Sequence, residues 1–95
     1  MRQPGKQPLF PLGRILGTPS ALAVLEKAGQ SPEEFLVRHV CGDWGHLSEH
    51  DRNENQFSLE RGLRLLSRYR TCSGEEICVM TEADRSVTTI LLPEE

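Results

Sequence analysis

The sequence has 95 residues, and its 11 Lys and Arg against 14 Asp and Glu give a formal net charge of −3. This length suits one small domain, and 37% hydrophobic with 26% charged residues are globular proportions that exclude a collagen, a coiled coil or a wholly disordered chain. No stretch approaches the roughly 18 apolar residues of a membrane-spanning helix, so we expect no membrane partner. An odd set of cysteines (Cys41, Cys72 and Cys78) without a Cys-x-x-Cys pair favours a cytoplasmic location.

The N-terminal residues differ from the rest in their proline content. Three prolines within the first eleven residues prevent a helix or a central strand, so residues 1–11 are predicted to be a flexible lead-in. Residues 12–95 are predicted to form a single domain. Its first part, residues 12–17, is a candidate short strand with Ile15 and Leu16 facing the core.

Three helices are marked by their ends. Each begins at a hydroxyl-bearing N-cap and ends at a glycine that tolerates a left-handed conformation. The start and stop pairs are Thr18 and Gly29, Ser31 and Gly42, and Ser48 and Gly62. In the second helix Glu34 stands where a capping box would return its carboxylate to the Ser31 amide. The third helix has few apolar residues, so we expect it on the surface.

Beyond Gly62 the hydrophobic period changes from helical to two. Alternation over residues 63–71, 76–82 and 87–92 predicts three strands, with turns at Ser73-Gly74 and at residues 83–85. The predicted fold class is therefore α+β, with two or three short N-terminal helices packed on a three- to four-stranded antiparallel meander.

Arginines are the first candidate for a binding surface. Guanidinium groups bind phosphates in pairs of hydrogen bonds, so a cluster of arginines on one sheet face could hold a phosphate. The residues are Arg64, Arg68 and Arg70 on one face of the first meander strand, and Arg85 in the neighbouring turn. The alternative is an ordinary solvated face, with these arginines paired to Glu75, Glu76 and Glu82 on adjacent strands.

The turn after the second meander strand is the second candidate. It brings Glu82, Asp84 and Arg85 together just before Thr88, and carboxylates, a guanidinium and hydroxyls can perform general acid–base catalysis. The same residues are also common turn formers, which is the competing interpretation. The candidate catalytic residues are Arg68, Arg70, Arg85 and Thr88, and the candidate binding residues are Arg64, Arg68, Arg70, Glu82, Asp84 and Arg85.

Four potential metal ligands fall within twelve residues, namely His39, Cys41, His46 and His50. Their spacing is not that of a zinc finger, and His39 and Cys41 point to different sides of a helix, so we predict no metal site and no cofactor. Trp44, which lies in the turn after the second helix, is predicted to cover the core.

Two segments carry a resemblance to known proteins. Residues 38–45 (RHVCGDWG) and 80–93 (MTEADRSVTTILLP) resemble a family of short bacterial proteins that are labelled plasmid-related and occur near mobile elements. The resemblance covers most of residues 10–95 and implies a bacterial, cytoplasmic, mobile-element setting. In layout the chain is similar to the barnase–EndoU–colicin–RelE ribonucleases, in which a sheet face holds the scissile phosphate. That likeness would assign the phosphate contacts to Arg68, Arg70, Arg85 and Thr88, but no histidine lies on the predicted sheet and the chain is acidic.

Two functions therefore remain as expectations. The first is a small non-enzymatic accessory protein that contacts a protein partner, with an exposed edge of the sheet as one docking route. The alternative is a metal-independent ribonuclease or toxin-like domain that uses the arginine-bearing sheet face. The net charge disfavours nucleic acid as a partner, and the sequence leaves open whether the protein is an enzyme.

Overall fold

A computed structural model describes residues 7–95 as three helices and four strands. In chain order these are β1 (Arg14–Gly17), α1 (Pro19–Ala28), α2 (Pro32–Val40), α3 (Glu49–Arg61), β2 (Leu65–Arg70), β3 (Glu76–Thr81) and β4 (Val87–Leu91). The strands form one sheet in the order β1-β4-β3-β2. The predicted α+β class is confirmed.

The sheet is mixed, which corrects the expectation of a purely antiparallel one. β2, β3 and β4 form the predicted antiparallel meander. β1 is the predicted fourth strand, but it runs parallel to β4, with Ile15 opposite Thr88. Gly13 makes the approach to β4 possible, because a Cβ atom there would lie 2.4 Å from the Ser86 carbonyl oxygen. The three helices and two strands between β1 and β4 supply the long connection that a parallel pair requires.

The helices begin where the sequence predicts. The side-chain oxygens of Thr18, Ser31 and Ser48 accept hydrogen bonds from backbone N–H groups in the first turns of α1, α2 and α3. The predicted capping box of α2 does not form, because the Glu34 carboxylate instead accepts a hydrogen bond from Nε2 of Gln30, at 2.8 Å.

The helices α1 and α2 cover one face of the sheet. The main core cluster joins apolar side chains of these helices to the inner face of the three meander strands, and comprises Ala21, Leu25, Phe35, Leu36, Tyr69, Ile77, Val79 and Ile90. We call this helix-covered side of the sheet the inner face and the opposite side the outer face. A second cluster contains Phe10, Trp44 and Leu65, which places Trp44 in the core as predicted.

Phe10 lies within the predicted flexible lead-in, yet it is buried. The backbone N–H of the preceding Leu9 donates to the carbonyl of Val40 at 2.8 Å. The packed part of the chain thus includes Phe10, ahead of the predicted boundary at residue 12. Residues 1–6 of that lead-in lie outside the described residues. Within residues 7–95, no helix is long and apolar enough to cross a membrane.

Candidate functional site

The predicted arginine face exists, and its charges are partly compensated. Arg68 and Arg70 alternate with buried residues along β2 and therefore share the outer face. Both bind Glu76 on β3, with Nε of Arg68 2.8 Å from Oε1 and Nη2 of Arg70 3.3 Å from Oε2. The hydrogen bonds from Arg68 and then from Arg70 lower the pKa of Glu76. One carboxylate thus serves two guanidinium groups, as the solvated-face interpretation predicts.

The other predicted ion pairs are found in part. Arg64, just before β2, lies 3.7 Å from Glu82, and both side chains remain largely exposed. Glu75 does not join this face, because its carboxylate pairs with Lys27 at 3.9 Å.

The guanidinium of Arg85 is bonded to backbone carbonyls and lies apart from the ion pairs of Arg68 and Arg70. Its Nη1 donates to the backbone carbonyls of Leu63, Glu82 and Ala83 at 2.6, 3.1 and 3.1 Å, and its Nη2 donates to that of Ser58 at 3.3 Å. These carbonyls belong to the end of α3, the approach to β2 and the turn after β3. Arg85 therefore ties three segments together, and its guanidinium is occupied by the backbone.

Thr88 is likewise placed away from the predicted site. It is fully buried on the inner face, where its hydroxyl donates to the Leu12 carbonyl at 2.7 Å. The candidate catalytic residues are thus divided, with Arg68 and Arg70 on the outer face, Thr88 on the inner face and Arg85 bound to the backbone. In the turn, Asp84 accepts hydrogen bonds from the hydroxyl and then the N–H of Ser86, which lower the pKa of Asp84 and hold the turn.

His39 belongs to a buried chain of hydrogen bonds rather than to a cluster of metal ligands. Its Nδ1 lies 2.5 Å from Oγ of Ser67 and its Nε2 lies 2.9 Å from Oγ1 of Thr81, which is 2.8 Å from Oγ1 of Thr88. Because Thr88 gives its proton to Leu12, Thr81 must donate to Thr88 and therefore accept from His39. The neutral imidazole carries its hydrogen on Nε2, and Nδ1 accepts from Ser67.

Burial controls the charge of this imidazole. The rings of Phe10 and Trp44 both contact His39 at angles near perpendicular. Removal from water, with a smaller contribution from the positive charge of Arg85, lowers the pKa of His39 to about 4. His46 and His50 are exposed. Among residues 7–95, no group of three or more His, Cys, Asp or Glu side chains could hold a metal ion.

The two edges of the sheet differ sharply. At the β2 edge, the N–H of Arg68 donates to the Trp44 carbonyl at 3.0 Å, and the N–H of His46 donates to the Arg68 carbonyl at 2.6 Å. Further along, the buried amide of Asn55 on α3 both donates to the Leu66 carbonyl, at 2.6 Å, and accepts from the Leu66 N–H, at 3.1 Å. A loop and one side chain thus take the place of a neighbouring strand and close this edge.

The β1 edge has no such cover among the described residues. β1 is the last strand of the sheet, and its only neighbour there is β4. The N–H groups of Arg14 and Thr18 donate toward β4, to the carbonyls of Ser86 and Ile90. Because backbone groups alternate along a strand, the N–H and C=O of Ile15 and Gly17 point away from the sheet.

Exposed apolar side chains lie next to these unpaired backbone groups of Ile15 and Gly17. Ile15, Leu16, Leu22 and Val37 are 42–60% exposed, and we call them the β1 edge patch. On the inner face, a cavity of about 400 Å³ separates β1 from α2 and is lined by Leu12, Ile15, Glu33, Leu36, Val37 and Val40. Free backbone donors and acceptors beside an apolar groove are what an added strand requires.

Ile15 and Leu16 are both about half exposed, which corrects the expectation that both face the core, and the β1 edge patch was therefore not predicted. Adjacent residues in a strand point to opposite faces, so an Ile-Leu pair in a four-residue strand cannot be buried by helices on one side alone. That signal was present in the sequence.

Comparisons of the chain with protein-family models, with curated proteins and with solved structures found no match.

Proposed function

We propose that this protein is a non-enzymatic interaction protein that binds a protein partner by accepting an extended strand at β1. The observation that carries the proposal is the difference between the two sheet edges. Exposed edges promote unwanted pairing and are usually blocked. Here Asn55 and the loop at Trp44 block the β2 edge, whereas β1 offers backbone groups at Ile15 and Gly17 beside exposed apolar side chains.

The groove indicates the chemistry of the incoming strand. An added strand would place alternate side chains over the β1–α2 cavity, whose lining is apolar apart from the carboxylate of Glu33. This arrangement favours a strand with apolar residues at alternate positions. Because β1 has four residues, the bound segment need be little longer.

The placement of the candidate catalytic residues is consistent with binding rather than catalysis. Arg85 and Thr88 are engaged by the backbone and the core, and Arg68 and Arg70 share one carboxylate. The resemblance of the two sequence segments suggests a bacterial mobile element as the setting of such an accessory protein, and the cytoplasm as its location.

The test selects peptides from a random decapeptide library displayed on phage and measures their affinity for the purified chain. Ile15→Pro removes a backbone donor that points away from the sheet, while the bonds of β1 to β4 remain. The matched variant Ile15→Ala shortens the same side chain but keeps the donor. We expect selected peptides with alternating apolar residues, whose affinity falls at least tenfold further in Ile15→Pro than in Ile15→Ala.

Thermal unfolding of both variants verifies that the fold is retained. If the monomeric chain selects no peptide, or if the selected peptides bind Ile15→Pro as well as the wild type, β1 is not a strand-accepting edge. Cleavage of RNA by the wild-type chain in the presence of a chelator would instead support the alternative function.

A further inference from the structure

We infer that the strand accepted at β1 is β1 of a second copy of the chain, so that two sheets join edge to edge around a two-fold axis beside Leu16. This inference rests on the proposed function and names its partner. It is drawn from the self-complementarity of β1 in backbone, shape and charge.

The backbone of β1 fixes the register. Ile15 and Gly17 direct their N–H and C=O groups outward, and the residues between and beside them do not. In an antiparallel pair of β1 strands, Ile15 of each copy then lies opposite Gly17 of the other. Every outward group of these residues finds a partner, and Leu16 falls on the two-fold axis.

On the inner face this register places a large side chain opposite a glycine. Ile15 is half exposed, and Gly17 of the second copy leaves room in front of it. Leu22 lies over Gly17, since a Cβ atom built at Gly17 would be 2.7 Å from Cδ2 of Leu22. Ile15 of one copy would therefore pack beside Leu22 of the other, which covers two members of the β1 edge patch at once.

On the outer face the axis brings the two Leu16 side chains together. Leu16 would form a non-hydrogen-bonded antiparallel pair with its own copy, whose Cα atoms are about 4.5 Å apart. Such pairs have the closest side chains in a sheet, so two half-exposed leucines would bury each other.

Charge complementarity supports the same register. Arg14 would lie opposite Thr18 of the second copy, and the Thr18 hydroxyl holds Oε1 of Glu95 at 2.7 Å. Arg14 makes no ion pair with any residue in the described range 7–95. The two-fold axis would thus bring each Arg14 to the Glu95 carboxylate of the other copy, twice per dimer.

The first test measures the mass of the full chain by sedimentation over concentrations up to about 1 mM. We expect a concentration-dependent dimer. Leu16→Lys would place two ammonium groups face to face on the axis and raise the dimer Kd at least tenfold. Leu66→Lys is the matched control, because Leu66 has the same chemistry, a similar exposure (41% against 46%) and the same outer face, but lies on β2.

The second test exchanges the charges. Arg14→Glu alone puts two carboxylates together at each end of the interface, and Glu95→Lys alone puts two cations together, so each variant is expected to dimerise at least tenfold more weakly. When the two variants are mixed, one end of the heterodimer pairs the introduced carboxylate with the introduced ammonium group, and the other end pairs Arg14 with Glu95. We therefore expect a heterodimer of near wild-type affinity. Thermal unfolding of each variant confirms that it is folded.

A chain that stays monomeric, or a dimer that Leu16→Lys does not weaken and mixing does not restore, overturns this inference. Peptide binding that depends on Ile15 would then leave the proposed function standing with a different partner. A monomer that also selects no peptide would overturn both.

Discussion

Acidification from pH 7.5 to pH 5 should destabilise this protein through one buried group, His39. The neutral imidazole donates to Thr81 and accepts from Ser67 in the interior of the domain. Protonation would add a hydrogen at Nδ1, where the Ser67 hydroxyl already points its own proton. It would also create a positive charge between Phe10 and Trp44, away from water and in the field of Arg85. In the unfolded chain the His39 imidazole is in contact with water and has none of these penalties, so it is protonated at a higher pH than in the folded chain.

The sign and size of the stability change follow from the pKa of His39 in the unfolded and in the folded state. Burial lowers the pKa of His39 from its ordinary 6.5 to about 4 in the folded state. The contribution to stability is therefore fully present above pH 6.5 and is lost as the pH falls toward 4, with a slope approaching 1.4 kcal/mol per pH unit. About 2 kcal/mol should be lost by pH 5 and about 3 kcal/mol in all, a large share of the 5–15 kcal/mol typical of a domain.

Three carboxylates with lowered pKa values act at lower pH and do not obscure this window. Hydrogen bonds lower the pKa values of Glu76, Asp84 and Glu95 below their ordinary values of 4.5, 3.8 and 4.5. Any stability that these carboxylates add is present above those values and lost only below them. The change between pH 6.5 and pH 5 should therefore report on His39.

The assay is urea unfolding followed by the fluorescence of the buried Trp44, repeated from pH 7.5 to pH 5. His39→Gln should remove the pH slope, whereas His50→Gln, the same substitution at an exposed histidine of α3, should keep it. Nuclear magnetic resonance of the wild-type imidazole gives an independent reading if His39→Gln fails to fold. A His39 that titrates near pH 6.5, or that carries its neutral hydrogen on Nδ1, would refute the reasoning.

Three further changes probe how the sheet is held. Asn55→Ala leaves the N–H and C=O of Leu66 without partners and should cost about 2 kcal/mol in urea unfolding, with increased light scattering from the opened β2 edge; unchanged stability would show that the amide is dispensable. Gly45→Ala should cost about 3 kcal/mol of unfolding free energy, because the φ of Gly45 is +78° and the new Cβ would lie 2.0 Å from a backbone carbonyl oxygen. The control Gly74→Ala, with a φ of +92° but open space around the new Cβ, should cost about 1 kcal/mol. Equal losses of stability in the two variants would contradict this reasoning. Arg85→Ala should lower the free energy of unfolding by about 2 kcal/mol, because four carbonyls lose a charged donor. Arg85→Lys should recover part of this loss in thermal or urea unfolding. A fully stable Arg85→Ala would make Arg85 a candidate functional residue again.

Local signals in the sequence predict most of this fold. The caps at Thr18, Ser31 and Ser48 depend on hydrogen bonds within a few residues, so their positions can be read without the rest of the structure. The same holds for the alternation along β2 and for the turn at Ser73-Gly74. In contrast, the parallel partner of β1 depends on a contact across more than seventy residues, and no local pattern specifies it.

The functional residues were harder to predict for a related reason. From its position in a turn, Arg85 was expected to be exposed. Its backbone instead adopts a left-handed φ of 62°, and its guanidinium donates hydrogen bonds to the carbonyls of Leu63 and Ser58, which are distant in the sequence. The alternating pattern of β4 does not distinguish Thr88 from any other strand residue. Only the tertiary position of His39 on α2 shows that the Thr88 hydroxyl belongs to the buried chain of hydrogen bonds through Thr81. Residue type predicted what each group can bind, while tertiary contacts determined what it does bind.

The two edges of the sheet give the strongest argument about what this protein does. Closing the β2 edge requires a buried asparagine, which is costly unless both its donor and acceptor are matched, and a glycine at position 45 that brings the chain against β2. A lysine or a proline would close the β1 edge far more simply, yet that position holds Ile15, with Leu16 beside it. Exposed apolar residues at an open edge favour association, and here the register that satisfies the backbone also matches Ile15 to Gly17 and Arg14 to Glu95. Because these three features are independent in sequence, their agreement on one register is what favours β1 as a binding edge over an incidental one.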